Sequence, residues 1–350
     1  MAIVAVTSES VRATTPPEDI RDRLLPQTWQ SAMRLAIREP AQLLQLLSLG
    51  NEWLMLAQKA AAGFPLFVPR EFIARMEVGN PYDPLLRQVL PLGEELMSQQ
   101  GFTKDPVGDA AAQIAPGLLH KYQGRALLIT TGACAVHCRY CFRRSYPYSD
   151  GPRSLDDWRP ALDAVAADST IEEVLLSGGD PLTIVDGQLA ALVERLEAIG
   201  HVRRLRIHTR LPVVIPQRVN GDLLSWLTGT RLTPVFVVHA NHPQEIDYAV
   251  SQSLTRLIDA GIPVLNQSVL LRGVNDNAEA LIELSKRLIN LRVMPYYLHQ
   301  LDRVQGAAHF EVPVCRGIEL IDEMRRQLPG YAVPRYVQEI AGDNGKRVLS

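Results

Sequence analysis

Cys134-Ala-Val-His-Cys138-Arg-Tyr-Cys141 gathers three of the chain's four cysteines into eight residues, directly after the apolar run Ala126-Leu-Leu-Ile-Thr-Thr131. Cubane iron-sulfur clusters take thiolate ligands, and three thiolates on one tight loop leave one iron without a protein ligand. An open iron is a place where a cofactor or substrate can bind. A structural zinc site closes with four ligands, usually as two separated pairs, and the remaining cysteine, Cys315, lies far downstream. His137 sits inside the loop, where its ring would have to fold back to complete such a set. A disulfide framework fails too, because the thiols are too close together in sequence and a chain of 350 residues does not need stapling. The loop therefore points to a [4Fe-4S] cluster held by Cys134, Cys138 and Cys141.

The rhythm of the sequence changes on the two sides of this loop. Before it, from about Gln27 to Gln100, apolar residues at helical spacing are broken by proline turns, for example Trp29 to Ile37 and, beyond Pro40, Leu43 to Leu47. We expect residues 1–100 to form a helical N-terminal lobe and 101–120, rich in Gly and Pro, to be a linker entering the core. From there, short apolar runs alternate with amphipathic helical stretches. The runs are Ala126–Thr131, Glu173–Ser177, Arg204–Thr209, Val235–Ala240, Val264–Leu271 and Met294–His299. Between them, Pro243 opens a helix with Ile246, Val250, Leu254 and Leu257 on one face, closed by Gly261. Asp276 or Asn277 caps another, with Leu281, Leu284 and Leu288 aligned.

Apolar strands joined by helices imply an α/β fold with a parallel sheet covered on its outer face. Six repeats over 121–330 suit a partial (β/α)6 barrel of the TIM type better than an open doubly wound sheet, and closure is left open. In such a barrel the chemistry lies at the C-terminal ends of the strands. Unusual residues stand there in every run. The cysteine loop follows the first, Ser177-Gly-Gly-Asp-Pro181 ends the second and His208-Thr-Arg210 the third. Asn241-His-Pro243 follows the fourth, Gln267-Ser268 lies in the fifth and His299-Gln-Leu-Asp302 ends the sixth. Taken alone, the glycine segment is a strand-to-helix turn, and His208, His239 and His242 are structural histidines. Cys315 opens an amphipathic helix, which predicts a partly buried thiol outside the cluster.

Composition bounds the function loosely. With 36 Lys and Arg against 38 Asp and Glu, the net charge is −2, so no bulk basic field favours nucleic acid. The stretch Met1–Glu9 lacks a charged leader and a sustained apolar segment, and no window is long enough to span a membrane. The expected compartment is the cytoplasm, which suits clustered reduced thiols.

Several segments together now become specific. Cys134-Ala-Val-His-Cys-Arg-Tyr-Cys-Phe-Arg-Arg144, Leu176-Ser-Gly-Gly-Asp-Pro-Leu182, Leu265-Asn-Gln-Ser-Val-Leu-Leu-Arg-Gly-Val-Asn-Asp276 and Tyr296-Tyr-Leu-His299 resemble the lysine 2,3-aminomutase family of radical S-adenosylmethionine (SAM) enzymes. The likeness runs from about Trp29 to the C-terminus. Pro65 to Leu90 and Asp302-Arg-Val-Gln-Gly-Ala-Ala-His-Phe310 resemble most the branch that makes β-lysine for elongation factor P.

The resemblance implies three cofactors: the [4Fe-4S] cluster, SAM at its open iron, and pyridoxal 5'-phosphate (PLP) held covalently by Lys346, in the C-terminal segment 331–350. That assignment reverses the ordinary expectation for a lysine so near a terminus, which is a mobile, solvated side chain. It further implies Ser177, Gly178, Gly179, Asp180 and Gln267 as cofactor contacts, and Lys121 and Tyr122 near the PLP phosphate. Arg125 and Asp105 are implied to pair near the cofactors. Arg143 would hold the substrate carboxylate, as a planar bidentate donor suits. Asp302 and Glu339 would recognise the far amino group of L-lysine; Glu339 lengthens the arm at a position where the family has aspartate.

The reaction so implied is an isomerisation, with migration of the amino group from C2 to C3 of lysine to give β-lysine, the R form by resemblance. A β-lysine ligase acting on elongation factor P would consume it. The resemblance also leaves room for a homo-oligomer. Lysine-catabolising relatives carry a longer tail with cysteines for intersubunit zinc, so no zinc is expected here. Two rival readings are a different aminomutase, such as one acting on glutamate, and a non-catalytic iron-sulfur accessory protein. Asp302 and Glu339 argue against the first by charge repulsion, and the complete set of site residues argues against the second.

Overall fold

The computed structural model describes residues 26–148, 151–152 and 154–350. The stretch Met1–Glu9 lies outside the described residues. Ten strands form one sheet whose spatial order follows the chain: β1 (Gln113–Ala115), β2 (Leu118–Tyr122), β3 (Arg125–Thr131), β4 (Glu173–Gly178), β5 (Arg204–Thr209), β6 (Thr233–His239), β7 (Val264–Val269), β8 (Met294–His299), β9 (Arg335–Gln338) and β10 (Arg347–Val348). β3 to β9 run parallel, and the pairs at the two ends, β1 with β2, β2 with β3 and β9 with β10, are antiparallel. Six of these seven parallel strands, β3 to β8, correspond to the six runs read from the sequence; β9 is not among them. No pairing joins β10 back to β1 among the described residues, as a partial barrel requires.

Strand periodicity of two gives the sheet unlike faces. Val174, Leu176, Leu205 and Ile207 are buried in one apolar cluster with Leu189, Leu192 and Leu196 of the helix Asp186–Glu197. Their neighbours Leu175, Ser177, Arg206 and His208, with Gln267 and Val269 of β7, face a central cavity of about 590 Å³. The runs are thus less uniformly apolar than a parallel sheet buried on both faces would be. Their inner positions line an open space, where the interior of an ordinary TIM barrel is packed solid.

The outer helices differ from expectation mainly at their ends. Pro243 opens a single 3-10 turn, Pro243–Glu245, and the helix proper is Tyr248–Asp259, capped by Asp247 accepting from the Val250 amide. The proline ring fixes φ for the turn, while the carboxylate satisfies an amide that the first helical turn leaves free. Gly261 closes this helix with φ of 81°, in the left-handed region. Asn277, not Asp276, caps Ala278–Asn290. In the N-terminal region the helices are Trp29–Arg34 and Pro40–Leu46. They pack into the same apolar cluster as the barrel, which extends from Trp29 to Val293.

The terminal helix Val314–Gln327 lies over β9, and Cys315 within it is exposed, contrary to the partly buried state expected. Near the start of this helix a Cβ on Gly317 would come within 2.3 Å of the Tyr336 hydroxyl. Tyr336 is fully buried and donates to Gln300, so it has nowhere to move. Gly317→Ala is therefore expected to destabilise by about 1–3 kcal/mol despite alanine's better helix propensity. Gly187→Ala, in open space on another helix, should be neutral or stabilising; chemical denaturation of the two variants checks the contrast.

Candidate active site

The loop between β3 and the helix Arg159–Ala167 carries the three cysteines, and its shape is imposed from outside. The His137 amide donates to Phe67 O at 2.9 Å and the Arg139 amide to Gln88 O at 2.9 Å. The fully buried Arg139 donates from Nε and Nη2 to Glu95 at 2.8 and 2.6 Å, and from Nη1 to Phe64 O at 2.7 Å. Arg144 reaches the same Glu95 carboxylate at 2.7 Å. The His137 ring stacks on Phe64 and its Nδ1 lies 2.8 Å from Pro65 O, so it turns away from the cysteines.

All three thiols line the cavity. Burial, then repulsion from neighbouring sulfurs, pushes the Cys134 thiol well up and Cys141 to about 11. Such thiols become thiolates when a metal compensates their charge. Among the described residues no three His, Cys, Asp or Glu side chains are grouped to hold a metal ion. The protein ligands of a cubane bind different irons and need not converge on one point.

The glycine segment crosses the start of the cysteine loop. The Gly179 amide donates to Thr131 O and the Asp180 amide to Ala133 O, each at 2.7 Å. Gly178 has φ of 114°, which demands glycine. Ser177 Oγ lies 3.4 Å from Arg143 Nη1. Asp180, expected to contact a cofactor, has its buried carboxylate occupied by the Leu182, Arg210 and Leu211 amides and the Thr209 hydroxyl. Its work is to tie the end of β4 to the end of β5.

The antiparallel pairing of β9 and β10, with Gln338 opposite Arg347, sets Glu339 and Lys346 side by side. Lys346 Nζ donates to Glu339 Oε2, and Tyr122 Oη donates to Glu339 Oε1 at 2.6 Å. Lys121 Nζ lies 3.6 Å from Glu339 and 2.7 Å from Asp109. Arg143 Nε pairs with the other Asp109 oxygen at 2.7 Å. Burial opposes ionisation of both acids, yet Arg143 and Lys121 hold Asp109 below its usual range, and Lys346, Tyr122 and Lys121 do the same for Glu339. Burial, opposed by Lys346 and reinforced by Glu339, raises Asp302 to about 7.

Two expected contacts take another form. Asp105 makes no ion pair with Arg125 among the described residues; its carboxylate accepts from the Asp109 and Ala110 amides at 2.9 and 3.0 Å. Arg125 stacks over the Tyr122 ring at 4.6 Å. The acid that joins the site is Asp109, which the sequence did not single out because it stands four residues further on in an irregular stretch. Gln267 Nε2 contacts His239 Nε2 at 3.1 Å. His208 and His299 are not satisfied core histidines: each buries an Nε2 without a partner at the cavity wall. Burial, with Lys346 and other nearby groups, keeps both rings neutral.

One cavity thus touches Cys134, Cys138 and Cys141 at one place and Lys346, Lys121 and Asp302 at another. The donor set fits a cluster, and the orphaned ring nitrogens near Lys346, in a cavity that Arg125 and Lys121 also line, fit a polar, anionic cofactor.

Residues 128–220 match the family model of the radical SAM superfamily, which sets the class of enzyme. The chain is 45% identical to an L-lysine 2,3-aminomutase of Haemophilus influenzae over 93% of its length and 96% of the relative's. It is 46% identical to one of Escherichia coli, covering 92% and 94%, and 38% identical to one of Clostridium subterminale, covering 79% and 66%. The chain belongs to the L-lysine 2,3-aminomutase family and is an isomerase whose cofactors are a [4Fe-4S] cluster, SAM and PLP.

The crossing of the two loops generates a test. A Cβ on Gly179 would sit 2.3 Å from Ala133 O, and backbone cannot yield as a flexible side chain would. In Gly179→Ala, iron and sulfide content after anaerobic reconstitution should fall severalfold, with the far-ultraviolet circular dichroism spectrum retained.

Proposed function

We propose that this enzyme isomerises L-α-lysine to (R)-β-lysine in the cytoplasm, and that the product feeds the modification of elongation factor P by a β-lysine ligase. The observation that carries the reading is the single cavity walled by the cysteine loop and by Lys346. Bound there, the cluster and SAM supply a hydrogen-abstracting radical, and PLP supplies a π-system that relays it.

The chain's residues provide binding, orientation and shelter. Cys134, Cys138 and Cys141 would hold the cluster, and the turn Ser177, Gly178 and Gly179 would contact SAM. Lys346 would bond PLP, Lys121 and Tyr122 would serve its phosphate, and Arg125 would stand near the cofactors. A lysine amine is suited to this exchangeable bond. Asp302 and Glu339, whose Oε2 accepts from Lys346 Nζ, would receive the far ammonium of lysine. Arg143, already oriented by Asp109, presents its remaining N–H groups to the substrate carboxylate. The cavity walls limit the contact of a reactive carbon radical with water. Two acids at the far end oppose glutamate as substrate. No helix among the described residues is long and apolar enough to cross a membrane.

Anaerobic incubation with reductant, SAM, PLP and α-lysine, with products resolved by chiral chromatography, tests the reaction. Conversion to (R)-β-lysine is expected, and turnover of glutamate in place of lysine overturns the substrate. Lys346→Ala should lose at least a hundredfold in rate; wild-type turnover without added amine overturns its role.

The pH dependence has a definite sign. An Asp302 carboxyl titrating at about 7 is mostly neutral at pH 6 and mostly charged at pH 8. Since the charged form attracts an ammonium, KM for lysine should fall roughly tenfold across that interval. Asp302→Asn should raise KM and flatten the slope.

A further inference from the structure

Behind the cysteine loop lies a buried polar network that none of the assigned roles uses. Its centre is Arg210, at the end of β5. Nη1 of Arg210 lies 2.8 Å from Cys138 Sγ and 2.9 Å from Tyr140 Oη. Nη2 donates to Gln88 Oε1 at 2.5 Å and to Glu245 Oε2 at 2.9 Å. Glu245 is wholly buried and is fixed through Oε1 by the Asn241 and His242 amides and by Gln88 Nε2. Asn241 Nδ2 completes the ring by donating to Tyr140 Oη at 2.6 Å. Both terminal nitrogens of the guanidinium are therefore engaged, one of them on a sulfur expected to ligate iron.

We propose that Arg210 is a positioning residue for the cluster: its contact with Cys138 Sγ raises the cluster's reduction potential, and Glu245 limits that rise by neutralising the guanidinium. The effect is electrostatic. Reduction adds one electron, taken from an external one-electron reductant, and takes the cubane from the 2+ to the 1+ state with no bond made or broken. The added charge spreads onto the sulfurs, so a cationic N–H donor on one of them favours the reduced form. Arg210 cannot lose its proton, and the dry surroundings leave its field poorly screened. Glu245, on the opposite edge of the same guanidinium, reduces the net field at the cluster.

This inference rests on the cluster assignment, and the experiment separates the two. Wild type, Arg210→Gln and Glu245→Gln are reconstituted anaerobically, and their iron and sulfide are measured. The paramagnetic signal of the reduced cluster is then followed against applied potential without SAM, PLP or lysine. At the wild-type midpoint, Arg210→Gln should show a reduced-to-oxidised ratio about tenfold lower, a downward shift of about 59 mV for a one-electron couple. Glu245→Gln should shift the other way. Loosened packing admits water to both variants alike and moves both potentials in one direction, so shifts of the same sign overturn the proposal. An unmoved potential with weakened SAM binding in equilibrium dialysis also overturns it, by making Arg210 a SAM contact. If Arg210→Gln fails to load iron, an absent or downward shift in Glu245→Gln overturns the proposal by itself. Wild type that takes up no iron overturns the cluster assignment.

Discussion

Everything at the radical end of the cavity depends on one constraint: a loop bearing three thiols has no regular secondary structure to hold it open. The N-terminal helices and turns supply that hold. Glu95 takes two bonds from Arg139 and one from Arg144, Phe64 O takes a third from the Arg139 guanidinium, and the carbonyls of Phe67 and Gln88 fix the loop's own backbone. Arg139 is completely buried, so removing Glu95 would leave an unpaired charge in the interior, at a cost of about 3–5 kcal/mol. The N-terminal region thus has a chemical as well as a packing reason to join the barrel's core.

The second consequence concerns the far wall. Strands β9 and β10 are only four and two residues long, yet they set Glu339 opposite Lys346. Asp109 similarly holds Arg143 and Lys121 apart by giving each its own carboxylate oxygen. Acids here arrange bases, and the bases are thereby directed into the cavity. The inward faces of β4, β5 and β7 accept polar residues such as Ser177, Arg206, His208 and Gln267 because they face an open cavity and not a packed core.

How legible this was depends on the range of the interaction. Six of the seven parallel strands could be read because apolar runs alternating with helices are a local signal, and the cysteine motif could be read because its spacing is local too. The antiparallel strands at the two ends of the sheet could not: Leu118–Tyr122 ends in His-Lys-Tyr, and Arg347–Val348 is too short to show any period. Nothing within the chain tells Asp105 from Asp109, two acids in one irregular stretch; only the fold shows that Asp105 shapes the turn and Asp109 enters the site. The Arg210 network joins residues up to 157 positions apart in sequence, so no spacing could announce it. The orphaned nitrogens of His208 and His299 are visible only once burial is known.

The order of the sheet carries a last implication, about time. Because the strands lie side by side in the order in which they occur in the chain, a protein made from its N-terminus can add each to a finished edge. The cysteine loop is gripped by Glu95 and Gln88, which precede it, and by Asp180 and Arg210, which follow. Its front clasp therefore exists before its back clasp can. During that interval the three thiols stand open, free to receive iron and sulfide and equally free to meet oxygen.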